Sequence, residues 1–150
     1  MRVIIQRVKE SKVFVDGVQI SDINAGLLIY LGISHDDTEE DLHYMVKKII
    51  NLRIFPNEDG KMDKSILSQS NLELLVISQF TLFGSCKKGN RPSFASAALP
   101  EKAKLLYESF IQECKKNILS VKTGVFGADM KIHSINDGPV TFYMDSKEKI

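Results

Sequence analysis

The chain has 150 residues, with 20 Lys and Arg against 19 Asp and Glu, a formal net charge of +1. Hydrophobic residues make up 43% and charged residues 26%, a balance that excludes disordered, collagen-like and membrane-spanning proteins. At this length one domain is expected, and near-neutrality excludes a protein that coats nucleic acid by bulk charge.

Val3, Ile5, Val13 and Val15 alternate with polar neighbours, the period of a strand. The apolar run within Met1–Arg7 is too short for a signal peptide, so a cytoplasmic protein is expected. Asp16-Gly17 stands between Val13-Phe14-Val15 and Val18-Gln19-Ile20, which predicts a type I′ hairpin. Leu27 to Ile33 is nearly all apolar and predicts a strand buried on both faces. Thr38-Glu39-Glu40-Asp41 resembles a capping box and opens a helix carrying Leu42, Met45, Val46 and Ile49 on one side. Leu72 to Ser78 predicts a second buried strand. Pro100 suits the first turn of a second helix, whose buried side holds Ala103, Leu106, Tyr107, Phe110 and Cys114. Strands are expected at Ser120–Val125, Met130–Ile135 and Val140–Met144. The order β-β-β-α-β-α-β-β-β predicts a single mixed α/β domain over residues 1–150, not a doubly wound sheet.

The chain carries no G-x-S-x-G elbow, phosphate-binding loop, dinucleotide fingerprint or H-E-x-x-H motif. Its three histidines, His35, His43 and His133, lack metal-ligand spacing, so no metal and no histidine-driven chemistry is expected. Cys86 and Cys114 form no recognisable framework and read as free thiols.

Three polar segments stand out instead. Ser78-Gln79-Phe80-Thr81-Leu82 closes an apolar strand, where side chains and free N–H groups can face a pocket and an oxyanion. On the residues alone, a strand that simply finishes in polar residues is the favoured reading. Thr81 as a nucleophile needs a base, and no His or Lys lies close by in sequence. Lys87-Lys88-Gly89-Asn90-Arg91-Pro92-Ser93-Phe94 offers cations, a permissive Gly and an aromatic ring, as a nucleic-acid contact or as a solvated loop. Asn136-Asp137-Gly138-Pro139-Val140-Thr141 lies between two strands. A plain turn is the simple reading, but Pro is where a cis peptide costs least, and that form aims successive carbonyls alike. Two Gly within Thr123–Met130 allow another chain or a ligand to approach closely.

Together these segments resemble the D-aminoacyl-tRNA deacylase family, from Met-Arg-Val-Ile-Ile-Gln-Arg-Val at the start to Gly138-Pro139-Val140-Thr141. Ser78-Gln79-Phe80-Thr81-Leu82 and Gly138-Pro139-Val140-Thr141 look like the two family signatures. Lys88-Gly89-Asn90-Arg91-Pro92-Ser93-Phe94 and Phe126-Gly127-Ala128-Asp129-Met130 match further segments. The resemblance implies β/β/α layers with two main helices, a homodimer and no cofactor. It implies hydrolysis of the ester between a D-amino acid, or glycine, and the 3′-terminal adenosine of tRNA, with no DNA and no membrane as partner. Ser78, Gln79, Phe80 and Thr81 would form the catalytic edge. Gly138-Pro139 from the other subunit would reject L-amino acids, with Arg7 fixing its orientation. Lys88, Gly89, Arg91, Pro92, Ser93, Phe94, Phe126, Gly127, Ala128 and Met130 would bind substrate and tRNA. The chain departs from the family at Phe83-Gly84-Ser85-Cys86, where an Ala-Asp pair is common after the aromatic. A non-catalytic binder of the tRNA 3′ end is the alternative, and a deacylase specialised for glycyl-tRNA or other mischarged tRNA is the second.

Overall fold

The structure is a computed structural model and describes residues 1–148. It is a mixed α/β fold in the order β1 (Arg2–Val15), β2 (Val18–Ile23), β3 (Gly26–Gly32), α1 (Glu39–Asn51), β4 (Phe55–Pro56), β5 (Met62–Lys64), β6 (Glu73–Ser78), α2 (Pro100–Lys115), β7 (Val121–Thr123) and β8 (Lys131–Asp145).

β1 organises the sheet. One of its edges pairs antiparallel first with β3, from Arg2↔Gly32 to Val8↔Gly26, and then with β2. The other edge pairs with β8 along its whole length, from Arg2↔Asp145 to Phe14↔Lys131. β6 and β7 extend the sheet beyond β3 in parallel. The hairpin between β1 and β2 turns at Asp16 and Gly17, with φ of 49° and 77°, the double positive φ of a type I′ turn.

Two layers follow from which faces are apolar. Val3, Ile5, Leu27, Ile29, Leu74 and Val76 face α1 and α2, where Met45, Ile49 and Phe110 are fully buried against them. The opposite face carries Leu28, Leu75 and Ile77. Val13 of distal β1, Ile23 and Ile132 pack over that face, so the outer halves of β1 and β8 form a second β-layer.

Two expectations are merged. Arg2–Val15 is one strand although its alternation breaks near Val8, because register shifts between Gln6 and Val8 and between Val8 and Glu10 absorb extra residues. Likewise the strands expected over Met130–Ile135 and Val140–Met144 are one strand, β8, which begins one residue later at Lys131 and pairs on both sides of Gly138-Pro139. The strand expected over Ser120–Val125 is the shorter β7.

A buried polar cluster ties the chain ends together. The Met1 ammonium donates to Asp37 Oδ1 at 2.5 Å and to Ser146 Oγ at 2.6 Å. Ser146 Oγ donates to Asp41 Oδ1 at 2.8 Å, and Lys147 Nζ donates to Asp41 Oδ2 at 2.7 Å. Burial pushes the Asp41 carboxyl up, but hydrogen bonds from Lys147, Ser146 and Thr38 win and hold it well below the usual carboxylate range. Asp145 is likewise lowered, burial again being outweighed, here by Arg2 and the Lys147 N–H. A carboxylate whose folded pKa is depressed stabilises the fold above its unfolded value, about pH 4, and that contribution is lost as the pH falls further. The thermal midpoint is therefore expected to drop below about pH 4, and Lys147→Met, which removes a bond holding the Asp41 pKa down, should lower the midpoint at neutral pH and make that drop shallower. An acid limb unchanged in Lys147→Met would contradict the assignment to this cluster.

Candidate active site

The Ser78–Phe83 segment is shaped by its neighbours. The apolar run of β6 ends where Gln79 N–H donates to Leu31 O at 2.8 Å, pinning the chain to the end of β3. The backbone then tightens into a 3-10 turn over Phe80–Phe83. Leu82 N–H closes on Gln79 O at 3.3 Å, and Gly84 N–H closes on Thr81 O at 2.9 Å. The turn lies directly on β3: a Cβ at Gly32 would stand 2.9 Å from Leu82 Cβ and 3.0 Å from Gln79 O. Phe80 and Thr81 open the turn, and no carbonyl among the described residues accepts from their N–H groups. Gln79 Nε2 donates to Thr81 Oγ1 at 2.5 Å. Among the described residues, no His, Lys, Asp or Glu side chain is hydrogen-bonded to that hydroxyl.

A cleft of about 610 Å³ opens beside the turn. Ser78, Gln79 and Phe80 form one wall, Phe94 and the entry to α2 a second, and Phe126–Met130 a third. Phe80 and Phe94 meet edge to face with centroids 5.0 Å apart, and they remain 56% and 40% exposed. Such rings, part apolar and part open, suit a stacked base. Phe126 rests on Tyr107 at 5.5 Å, and Tyr107 O–H donates to Val76 O at 2.7 Å, so the third wall is backed by the core. Burial pushes the Tyr107 phenol far above its usual range, so it acts as a fixed donor. A Cβ at Gly124 would stand 2.4 Å from Met130 Sδ, the close approach that brings the Phe126–Met130 segment onto β6.

The basic segment is placed at the side of this cleft. Ser85 and Ser93 pair by reciprocal N–H···O bonds of 2.8 and 2.9 Å, and Lys87–Arg91 form the exposed tip between them. Gly89 turns there with φ of 73°. Phe94 lines the cleft, whereas Lys88, Gly89, Arg91, Pro92 and Ser93 do not. Of the third wall, Phe126, Gly127, Ala128 and Met130 all line it. Thr81 contacts it only through Gln79.

Gly138-Pro139 is elsewhere. Gln6 pairs with Thr141 and Val8 with Asn136, so Asp137–Val140 bulge out opposite Arg7 alone. Arg7 Nε donates to Asp137 O at 3.2 Å and Arg7 Nη1 to Ile54 O at 2.6 Å, bracing the bulge against the segment after α1. Asn136 spans its base, donating to Thr141 Oγ1 at 2.9 Å and accepting from Val140 N–H at 3.2 Å. The Gly138-Pro139 peptide is cis, Gly138 has φ of 130°, and both residues are exposed. Arg7 and Gly138-Pro139 are thus brought together, while Gly138-Pro139 and Thr81 are not.

Sequence reasoning missed Ala97, Ala98, Leu99 and Ile132 in the cleft lining. The small-residue run Ala95–Ala98 ahead of Pro100 was the available signal, since small side chains leave room beside a helix entry. Cys86 is exposed on the far side of the turn, with Arg2 and Lys87, and Cys114 is buried with its thiol pushed up to about 12 by that burial. Among the described residues, no group of three His, Cys, Asp or Glu side chains is arranged to hold a metal ion. No helix among them is long and apolar enough to cross a membrane.

The chain's relatives share this whole architecture. The family model for D-Tyr-tRNA(Tyr) deacylase matches residues 4–145. The D-aminoacyl-tRNA deacylase of Clostridium novyi is 56% identical and that of Thermosipho africanus 53%, each over 99% of both chains. Among solved structures, one described as a c-Myc DNA Unwinding Element Binding Protein superposes with a TM-score of 0.91 at 43% identity, covering 97% of this chain and 98% of its own. A probable eukaryotic D-amino acid tRNA deacylase superposes with a TM-score of 0.80 at 17% identity, over 95% of this chain and 97% of its own, a likeness of fold. The chain belongs to the D-aminoacyl-tRNA deacylase family and is a hydrolase of the aminoacyl-tRNA ester bond.

Proposed function

We propose that this single-domain chain is a cytoplasmic homodimer that removes D-amino acids, and achiral glycine, from the 3′-terminal adenosine of tRNA. Each cleft is completed by Gly138-Pro139 of the other subunit. The observation that carries this reading is a separation. Ser78 is in register with Leu31 of β3, and the bulge is in register with Leu27 through Arg7. At ~4.8 Å between strands and ~3.3 Å per residue, cleft and bulge lie about 20 Å apart within one chain. The bulge is braced by Arg7 and Asn136, and its Gly138 and Pro139 are exposed. β8 supplies a route to the second subunit: it pairs with β1 alone and leaves Ile135, Phe142 and Tyr143 at 51, 37 and 50% exposure on a long edge. Such an edge is managed by pairing or covering it.

The chemistry assigned to the cleft asks little of side chains. Water adds to the ester carbonyl carbon, the oxyanion forms, and the bond to the ribose oxygen breaks with a proton delivered to that oxygen. The N–H groups of Phe80 and Thr81 stabilise the oxyanion, and positioning supplies much of the remainder because the ester is already activated. The ribose 2′-hydroxyl of the substrate assists in place of the absent protein base. Phe94 and Phe126 hold the adenosine, while Lys88 and Arg91 meet the phosphates preceding it, with Gly89, Pro92 and Ser93 shaping their loop. Carbonyls of Gly138 and Pro139 take the substrate ammonium and occupy the place of an L side chain. A rigid wall rejects the wrong hand without having to recognise any particular side chain.

Deacylation of D-Tyr-, L-Tyr- and Gly-tRNA, with and without a chelator, tests this reading. Release from D-Tyr- and Gly-tRNA, resistance of L-Tyr-tRNA and indifference to chelator are expected. Binding of all three without release would establish the 3′-end-binding alternative, and release from Gly-tRNA alone the glycyl-specialised one. Thr81→Ala is expected to retain deacylation within about tenfold, because a hydroxyl without a base is not the nucleophile. Loss of all single-turnover activity with D-Tyr-tRNA binding intact would overturn that role.

A further inference from the structure

We infer that Arg2 is a positioning residue for the reaction, acting through the backbone of the Phe80–Phe83 turn. This rests on the reading of that turn as the oxyanion-binding edge. Arg2 Nη1 donates to Leu82 O at 3.0 Å, and the guanidinium lies 4.5 Å from the centre of the Phe83 ring. Its Nε donates at 2.9 Å to Asp145 Oδ2, whose carboxylate is only 6% exposed. Leu82 O stands at the end of the turn, and no backbone N–H among the described residues donates to it. Arg2 therefore supplies the partner that a helix end lacks, and Asp145 fixes the fork that delivers it.

Two register partners on neighbouring strands hold the turn: Gly32 of β3 lies against it where no Cβ fits, and Arg2 of β1 binds it through Leu82 O and the Phe83 ring. If the groups that meet the oxyanion are backbone N–H groups, then side chains within the turn matter less than those that hold its backbone. Thr81→Ala and a change at Arg2 should then differ in a direction opposite to their distance from the substrate. A fork reaching two acceptors at fixed angles is a property of Arg and not of Lys.

Steady-state hydrolysis of D-Tyr-tRNA by Arg2→Met, measured below its thermal midpoint, tests the inference. kcat is expected to fall about 10- to 100-fold with KM within about twofold and the D/L preference retained. Arg2→Lys should recover only part of the loss. Lys147→Met breaks a neighbouring ion pair without touching the turn and should keep the wild-type kcat. Ala128→Trp fills the cleft and should abolish hydrolysis. Normal kcat in Arg2→Met, or a change in KM alone, overturns the positioning role while loss in Ala128→Trp leaves the site reading standing. Normal activity in both variants overturns the two together. An equal fall in Lys147→Met would assign the effect to general loosening and overturn the role as well.

Discussion

Gly138→Ala is expected to lower kcat/KM for D-Tyr-tRNA about 100-fold and the D/L ratio at least about tenfold, with little loss of folding. The reason is local. Gly138 has φ of 130°, a region in which an L side chain is strained by about 1–3 kcal/mol. Its new Cβ would stand 2.8 Å from Val140 Cγ2 and 3.3 Å from Arg7 Nη2, so the bulge must shift or displace its own brace. Gly138 and Pro139 are exposed and only Val140 of the bulge packs on the core, so the fold should persist with a thermal midpoint lowered by about 2–12 °C. Pro139→Ala carries the same expectation of damaged discrimination exceeding damaged folding. Rates on D-, L- and Gly-tRNA alongside thermal unfolding check both variants. Unchanged D/L selectivity would contradict the assignment of the chiral wall to this bulge.

The second large effect concerns β8. The double variant Ile135→Arg, Phe142→Arg places two cations on the exposed edge and is expected to yield a folded monomer with about 100-fold less activity. Both positions are well exposed within one chain, so their replacement costs the isolated subunit little. Sedimentation and D-Tyr-tRNA hydrolysis on the same samples provide the check. A monomer with full activity would show that one chain holds a complete site.

Much of the fold is legible because its signals are local. The Asp16-Gly17 turn, the Thr38–Asp41 box and Pro100 at the start of α2 each act within a few residues, and each is found where the residues place it. In α1, Thr38 N–H donates to Asp41 Oδ2 at 3.0 Å, as a capping box requires. The continuity of β1 and β8 was not legible. Bulges near Val8 and at Asp137–Val140 break the period of two, and only pairing with a distant strand restores it. The cleft shows the same limit. Gln79, Phe80, Phe126 and Ala128 stood out as sequence segments, but Ala97, Ala98 and Ile132 join them only through tertiary folding. Nor does any spacing in the sequence reveal that Arg7 reaches Ile54 O, or that Arg2 reaches Leu82 O.

The near balance of charge takes on a narrower meaning with the site in view. It excludes a protein that neutralises many phosphates, and the exposed cations near the cleft are concentrated at the Lys87–Arg91 tip. Because affinity for nucleic acid falls with salt in proportion to the phosphates neutralised, a contact this short should give a shallow salt dependence. Such a footprint fits recognition of a few unpaired nucleotides at the end of a tRNA.

The proposed exchange between subunits meets its most direct test in complementation. Chains carrying Gly138→Ala are mixed with chains carrying Ala128→Trp under conditions that exchange subunits, and D-Tyr-tRNA hydrolysis is measured. Each homodimer alone should be nearly inactive. In a mixed dimer, the intact cleft of the first chain meets the intact Gly138-Pro139 of the second, so one site is whole. Random mixing should therefore restore about a quarter of the wild-type activity, selective for the D-aminoacyl ester. Confirmed mixed dimers with no activity would show that Gly138-Pro139 does not complete the partner's cleft, and would contradict the account.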